Sequence, residues 1–251
     1  MGCELGDRGP ALVQYWHSEQ IPTEIEALTA TFHDLNPDLH HHVYCEAEAE
    51  EFIAAHFTSR EVTAFRACAV PAMQADYFRY CAVLALGGIY ADADFRCVQP
   101  LRELIGTTAG GLLFRREPKT TLINGFFVFD EPGHPLLRLT LDVATANIEH
   151  RAAKKVHAVT GPWIFTSLAA LHRLGSFEAG RSTGAGIHKL ATVMVEAVGD
   201  FKRVVEAFER VRVVPFRAAM EWIGEAGTPL DYKQGNEHWI DWHERNGSIF
   251  R

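Results

Sequence analysis

Two acidic residues one position apart, Asp92 and Asp94, follow the short apolar run Ile89-Tyr90-Ala91, and Asp76 and Arg79 stand a little upstream. Carboxylates held close together repel unless a proton or a cation lies between them, and hard oxygen donors with open positions suit Mg2+ or Mn2+ that also contacts phosphate oxygens. Side chains alternate along an extended chain. This predicts Tyr90, Asp92 and Asp94 on one face and Ile89, Ala91 and Ala93 on the other, if the extended geometry continues through the turn. By itself an Asp-x-Asp also describes a solvated turn or a helix cap.

The segment before the acidic pair sharpens the reading. Residues 70–86 read as one helix, with Pro71 in the first turn, where a missing N–H costs nothing, and Gly87-Gly88 ending it. At about 100° per residue, Asp76, Arg79 and Tyr80 share one arc of that helix. Arg79 offers a planar fork suited to sugar hydroxyls, carboxylate or phosphate, and Asp76 can orient Arg79 or a hydroxyl. An exposed Asp–Arg pair at i,i+3 would be worth little. The rest of this helix, however, is Ala, Val, Leu, Cys and Phe, so it is expected to be buried, where an unpaired Arg would be expensive.

The elements around these residues alternate. A strand is expected over 11–16, ending in Tyr15-Trp16, then a helix over 23–33 with apolar Ile25, Leu28 and Phe32, and a turn at Asn36-Pro37-Asp38. A second strand follows around 41–44 and an acidic helix over 47–57, with Ser59-Arg60 opening a linker. Strands are expected at 89–91, 111–114 and 126–129, helices at 140–151 and 162–174, and a Gly/Ser-rich loop at 175–186. The last twenty residues, with Trp239 and Trp242, are too aromatic for a solvated tail.

Composition excludes several classes. The chain has 251 residues, is 47% apolar and carries a net charge of −8. It has no block of basic residues, which argues against a nucleic-acid partner. Cys3, Cys45, Cys68, Cys81 and Cys97 are odd in number and irregular in spacing, with no Cys-x-x-Cys, and are read as reduced. No run spans a membrane, and residues 1–10 lack a signal-peptide pattern, so a cytoplasmic protein without stable membrane insertion is expected. Gly6 stands where myristoylation wants Ser or Thr. His40-His41-His42 alternate faces if they lie in a strand and cannot converge on one ion. Gly87-Gly88 is no phosphate cradle, because no Lys-Ser or Lys-Thr follows, and neither Ser167 nor Ser182 sits in a hydrolase elbow.

The stretches Ala75-Asp76-Tyr77-Phe78-Arg79-Tyr80 and Leu86-Gly87-Gly88-Ile89-Tyr90-Ala91-Asp92-Ala93-Asp94 resemble the signature of the family 32 glycosyltransferases. That family holds initiating mannosyltransferases of yeast type and capsular polysaccharide enzymes, and it shares its core with the glycosylating domains of large clostridial toxins. Weaker similarities follow at Trp16 with Ile21-Pro22, Asn36-Pro37, Asn124-Gly125, Gly133-His134-Pro135 and Thr160-Gly161-Pro162. The resemblance implies an α/β GT-A fold, a Rossmann-like mixed sheet flanked by helices. It would form a single catalytic domain over 1–251, with a nucleotide-sugar half at about 11–100 and an acceptor-side half at about 101–251.

The resemblance also implies site roles. Tyr15 and Trp16 would border the base, Asp76 and Arg79 would hold donor sugar hydroxyls, and Tyr90 and Asp92 would contact ribose or sugar. Asp94, with Asp92, would bind the Mn2+ or Mg2+ that bridges the diphosphate, and His238 could complete that shell. The family closes with a His and a Ser-Trp pair; here His238 and Asp241-Trp242 stand there, with Asp replacing Ser. Ala75 likewise replaces a Ser. The implied reaction transfers a sugar from a nucleotide diphosphate sugar, UDP- or GDP-linked, to a hydroxyl acceptor on a glycan, small molecule or protein. Retention of configuration is implied, and no carboxylate in the sequence marks itself as a covalent nucleophile. Two other readings are a non-catalytic nucleotide-sugar-binding module and an Asp-x-Asp phosphohydrolase. The second expects Thr or Val two positions beyond the second Asp, where Arg96 stands.

Overall fold

The computed structural model describes residues 10–106, 110–118, 120–174, 185–225 and 247–251. The first strand, β1 (Ala11–Tyr15), leads into helix α1 (Thr23–Leu35), strand β2 (His40–Tyr44) and helices α2 (Glu46–His56), α3 (Ser59–Ala67) and α4 (Pro71–Leu86). The chain returns through β3 (Gly88–Ala91), the short β4 (Phe95–Cys97), β5 (Gly111–Arg115) and β6 (Phe126–Phe129). Helices α5 (Pro135–Glu149), α6 (Val156–Val159), α7 (Trp163–Leu174), α8 (Ala185–Val198) and α9 (Phe201–Phe208) follow. Strand β7 (Val211–Pro215), helix α10 (Phe216–Ala219) and strand β8 (Ile223–Glu225) complete the described order.

Six strands form one sheet in the order β2-β1-β3-β6-β5-β7. Strands β2, β1 and β3 pair in parallel, β5 pairs in parallel with β7, and β6 runs against both of its neighbours. A separate two-stranded ribbon joins β4 to β8. Both faces of the inner strands are covered, which is why β1, β3, β5 and β6 read as mostly apolar runs rather than as a strict alternation, while the edge strands β2 and β7 stay partly exposed. One face carries Val13, Tyr15, Tyr90 and Phe127 into the large core beneath α4 and α5. The other carries Leu12, Ile89, Ala91, Phe126 and Val128 against Phe32 of α1 and Leu101.

Helix α4 is the centrepiece of the first layer. Pro71 stands at its start and Gly87, at φ +68°, ends it; every residue from Met73 to Leu84 except Ala75 is buried. Gly88 brings β3 hard against β1. It sits at φ +91°, and a Cβ there would lie 2.1 Å from the Ala11 carbonyl oxygen, so only glycine permits this strand approach.

Several sequence expectations shift. Residues 59–67 form α3 rather than a linker: the Thr58 side chain caps the helix, and Glu61 reaches back to the Thr58 N–H at 3.1 Å, a capping box. Helix α5 begins at Pro135, five residues before the expected start, with the His134 ring accepting the Leu136 N–H at 3.2 Å. The Gly/Ser-rich stretch lies mostly outside the described residues, and its last two positions open α8. The His triplet divides as alternation requires: His41 meets Gln14 at 2.8 Å, while His42 faces Glu48 at 3.4 Å. Cys45, Cys68, Cys81 and Cys97 are buried free thiols; Cys3 lies outside the described residues. Among the described residues no helix is long and apolar enough to cross a membrane.

Candidate active site

Because β1, β2 and β3 run in parallel, their carboxyl ends lie along one rim of the sheet, the place where open α/β sheets bind ligands. Tyr15, Tyr44 and Ala91 are the last residues of those strands. Antiparallel β6 enters the rim at Phe126, paired with Ala91, which lays Asn124 and Gly125 beside Asp92. The Asp92 N–H donates to the Gly125 carbonyl at 2.8 Å.

Extended geometry stops at Ala91. The Asp92 carbonyl accepts the Phe95 N–H at 3.1 Å, closing a turn that places Asp94 at its tip before β4. The strict alternation expected through Asp94 therefore ends one residue short of the first Asp. Both carboxylates still line one cleft of about 870 Å3, with Tyr15, Trp16, Asp76 and Arg79 also in its wall.

Arg79 organises the corner. Its Nη2 lies 3.1 Å from Asp76 Oδ1 and 3.0 Å from Asp92 Oδ1. Its Nη1 donates to the Asn124 carbonyl at 2.6 Å and its Nε to the Ala75 carbonyl at 3.1 Å. The guanidinium also lies over the Tyr90 ring, 4.6 Å from the centroid. Burial alone would lower the Arg79 pKa, but Asp92, Tyr90 and Asp76 more than offset it, so the charge is held.

Asp76 is buried and doubly engaged. Its Oδ1 accepts Asn124 Nδ2 at 2.8 Å as well as facing Arg79, and its Oδ2 accepts Thr160 Oγ1 at 3.3 Å. Burial raises its pKa against the pull of Arg79, Asn124 and Thr160. Asn124 Nδ2 also donates to the Tyr80 hydroxyl at 3.0 Å, and that hydroxyl donates to the Thr160 carbonyl at 2.8 Å. Three distant segments thus meet on one face of α4.

Asp92 is the carboxylate on the open side, with 32% of its side chain exposed. Desolvation, with the charges of Asp94 and Asp76, raises its pKa to about 6, although Arg79 and the Tyr90 hydroxyl, which donates at 3.1 Å, pull the other way. A Cβ on Gly125 would lie 2.2 Å from Asp92 Oδ2, so glycine is what leaves room for this carboxylate.

Tyr90 departs from its expected contact with ribose or sugar. Its side chain has no exposed surface, because strand alternation turns it into the core under Arg79 and against Phe127; what it reaches is Asp92. Tyr15 is also mostly buried, with its hydroxyl donating to Gln74 Oε1 at 3.1 Å. Trp16 stands further out, its N–H donating to the Tyr44 carbonyl at 2.9 Å. His238, Asp241 and Trp242 lie outside the described residues.

Sequence reasoning passed over Gln14 and Thr160 as site residues, and it placed Asn124-Gly125 with the acceptor side. Gln14 has no exposed surface, and its Nε2 reaches the Asp92 carbonyl at 3.3 Å. A polar Gln inside the apolar run of β1 was the available signal.

A mixed α/β sheet with an acidic pair and a cleft at the carboxyl ends of its first strands is the GT-A arrangement. The chain is similar in fold to the solved PaToxG glycosyltransferase, at 17% identity and a TM-score of 0.54, over 86% of this chain and 88% of that one. Residues 22–110 match the family described as the glycosyltransferase sugar-binding region containing the DXD motif, and Asp92-Ala93-Asp94 falls inside that span. No curated protein matches the chain.

Proposed function

We propose that this chain is a metal-dependent glycosyltransferase that moves a sugar from a nucleoside diphosphate sugar to a hydroxyl acceptor, in the manner of the family 32 enzymes. One observation carries the reading. Inside a segment matching a DXD sugar-binding region, Arg79 and Tyr90 hold the Asp92 carboxylate at the wall of a cleft shared with Asp94, and Gly125, beyond that segment, leaves it room.

The donor set fits a divalent cation. Burial, together with the charges of Asp94 and Asp76, raises the Asp92 pKa, a hard cation beside it would favour the ionised form, and carboxylate oxygens suit Mg2+ or Mn2+. Among the described residues no cluster of three or more ligating side chains occurs. Asp92 and Asp94 would hold the cation. When bound it supplies Lewis-acid stabilisation of the leaving diphosphate.

The chain's own groups do the positioning. Trp16 borders the base, and Asp76 with Arg79 forms the floor beneath the donor sugar. Tyr90 and Gln14 act from beneath, keeping Asp92 in place. The acceptor oxygen attacks the anomeric carbon as the bond to the diphosphate breaks, and its proton passes to the leaving phosphate oxygen.

Attack from the same face, giving retention, is favoured because no carboxylate of the described cleft wall is placed for a covalent role: Asp76 is held by Arg79, Asn124 and Thr160, Asp92 by Arg79 and Tyr90, and Glu46 stands beyond β2, two strand spacings from Asp92. Asp94 is assigned to the cation. The donor half spans about 11–100, with the acceptor side beyond it.

The test is donor turnover with Mn2+ in the wild-type chain and in Asp94→Asn. Loss of turnover in a folded Asp94→Asn chain is expected. Full activity in that variant refutes the reading, and nucleotide binding without transfer or donor hydrolysis in the wild type assigns the chain to a non-catalytic binding module.

A further inference from the structure

The cleft extends beyond the acidic pair to a second charged group. Strands β2, β1 and β3 are neighbours in that order, so the rim above β2 stands two strand spacings, roughly 10 Å, from the rim above β3 where Asp92 lies. A nucleotide that leaves its diphosphate at Asp92 and Asp94 and runs along the rim therefore brings its base to the end of β2. Trp16 is tied there by its backbone bond to Tyr44, and Glu46 follows two residues later as the first residue of α2.

Glu46 is not alone. Arg251 Nη2 donates to Glu46 Oε1 at 2.8 Å, across 205 positions of sequence. The segment that carries Arg251 is built into the fold. The Ala69 N–H donates to the Ile249 carbonyl at 3.0 Å, the Arg251 N–H donates to the Ala67 carbonyl at 2.8 Å, and Ile249 is buried. Glu46, Arg251 and Trp16 all line the same cleft as Asp92 and Asp94, with Ala69 and Pro71 as an apolar floor. An aromatic side chain, a carboxylate and the guanidinium paired with it, at the far end of the cleft from Asp92, make a base-reading set.

Resting on the donor reading above, we infer that Glu46 and Arg251 read the base of the donor and select guanine. The Watson–Crick edge of guanine offers a carbonyl, O6, beside two donors, N1–H and the N2 amino group. One carboxylate can accept both donors while a guanidinium on the same side donates to O6. Uracil offers one N–H flanked by two carbonyls, so a carboxylate that takes the N–H faces a second acceptor. Adenine presents an amino group where Arg251 donates, and cytosine does the same. A charge-assisted pair formed with one base and lost with another separates their affinities by about ten- to a hundredfold.

The test is calorimetric titration of the full chain with GDP, UDP, ADP and CDP in the presence of Mn2+, in the wild type, Glu46→Ala, Arg251→Met and Asp94→Asn. Expected is GDP binding at least about tenfold tighter than the other three, a preference lost in Glu46→Ala and reduced in Arg251→Met. Asp94→Asn should weaken all four alike. Both cleft-mouth side chains are partly exposed, so these variants should fold, which thermal melting checks. Equal binding of the four, a preference for UDP, or a GDP preference that survives Glu46→Ala overturns the inference and leaves the donor reading standing. Failure of the wild type to bind any nucleoside diphosphate overturns both.

Discussion

Replacing Arg79 by Met removes the guanidinium while keeping most of the stem volume. The side chains of Asp76 and Arg79 are 8% and 5% exposed, and the same guanidinium serves Asp92. Removing one partner of a buried ion pair leaves the other charge uncompensated and costs about 3–5 kcal/mol. Asp76 keeps Asn124 and Thr160, which places the loss toward the lower end of that range. Domains of this size are stable by about 5–15 kcal/mol and shift by about 2–4 °C per kcal/mol, so a drop in melting temperature of about 6–20 °C is expected. The assay is urea unfolding of the metal-free protein followed by tryptophan fluorescence.

A pH arm separates charge from packing. In Arg79→Met both acids have raised folded-state pKa values relative to the unfolded chain. The pKa values of Asp76 and Asp92 are already raised in the wild type, so the extra penalty of the variant is absent at acid pH and grows as pH rises from the wild-type folded value, about 6 for Asp92, toward the higher value without Arg79. The variant should accordingly lie closer to the wild type at pH 5 than at pH 7.5, and adding Asp76→Asn should recover part of the loss. A deficit below about 1 kcal/mol with no dependence on pH would refute this, because that is how an exposed pair behaves.

Other outcomes follow from the same geometry. Gly125→Ala should fold but displace the Asp92 carboxylate from a 2.2 Å overlap, lowering transferase turnover by about a hundredfold; wild-type turnover would show that Asp92 has freedom the corner does not suggest. Mn2+ affinity should fall by about tenfold per pH unit below the Asp92 value near 6, with up to about one proton released per ion bound below that value and none well above it, measured by titration in buffers of different ionisation enthalpy. A flat profile between pH 5 and 7 would dissociate Asp92 from the cation. Asn124→Ala should weaken donor binding and destabilise the apo chain together, because Asp76 and Tyr80 lose the same donor; an effect on neither would remove Asn124 from the site.

Much of this protein was settled locally. The Pro71 start and Gly87 end of α4, the apolar strand before Asp92 and the apolar runs of β5 and β6 follow from φ restrictions and short-range pattern, which the chain carries residue by residue. The acidic pair was legible as two neighbouring carboxylates for the same reason, and both line the cleft. The α3 helix was also written locally, in the Thr58-x-x-Glu61 capping box, but in a short and mostly polar segment whose buried apolar residues are only Ala64 and Phe65.

What only tertiary structure decided is which distant groups complete the corner. Asn124 and Thr160 come to Asp76 from 48 and 84 positions away, Gln14 comes to Asp92 from 78, and Arg251 comes to Glu46 from 205. No local pattern encodes such meetings, because they depend on strand order and on β6 running against its neighbours. The burial of Tyr90 was decided in the same way. Alternation gave it a face, and the packing of α4 and Phe127 over that face buried it while leaving its hydroxyl on Asp92.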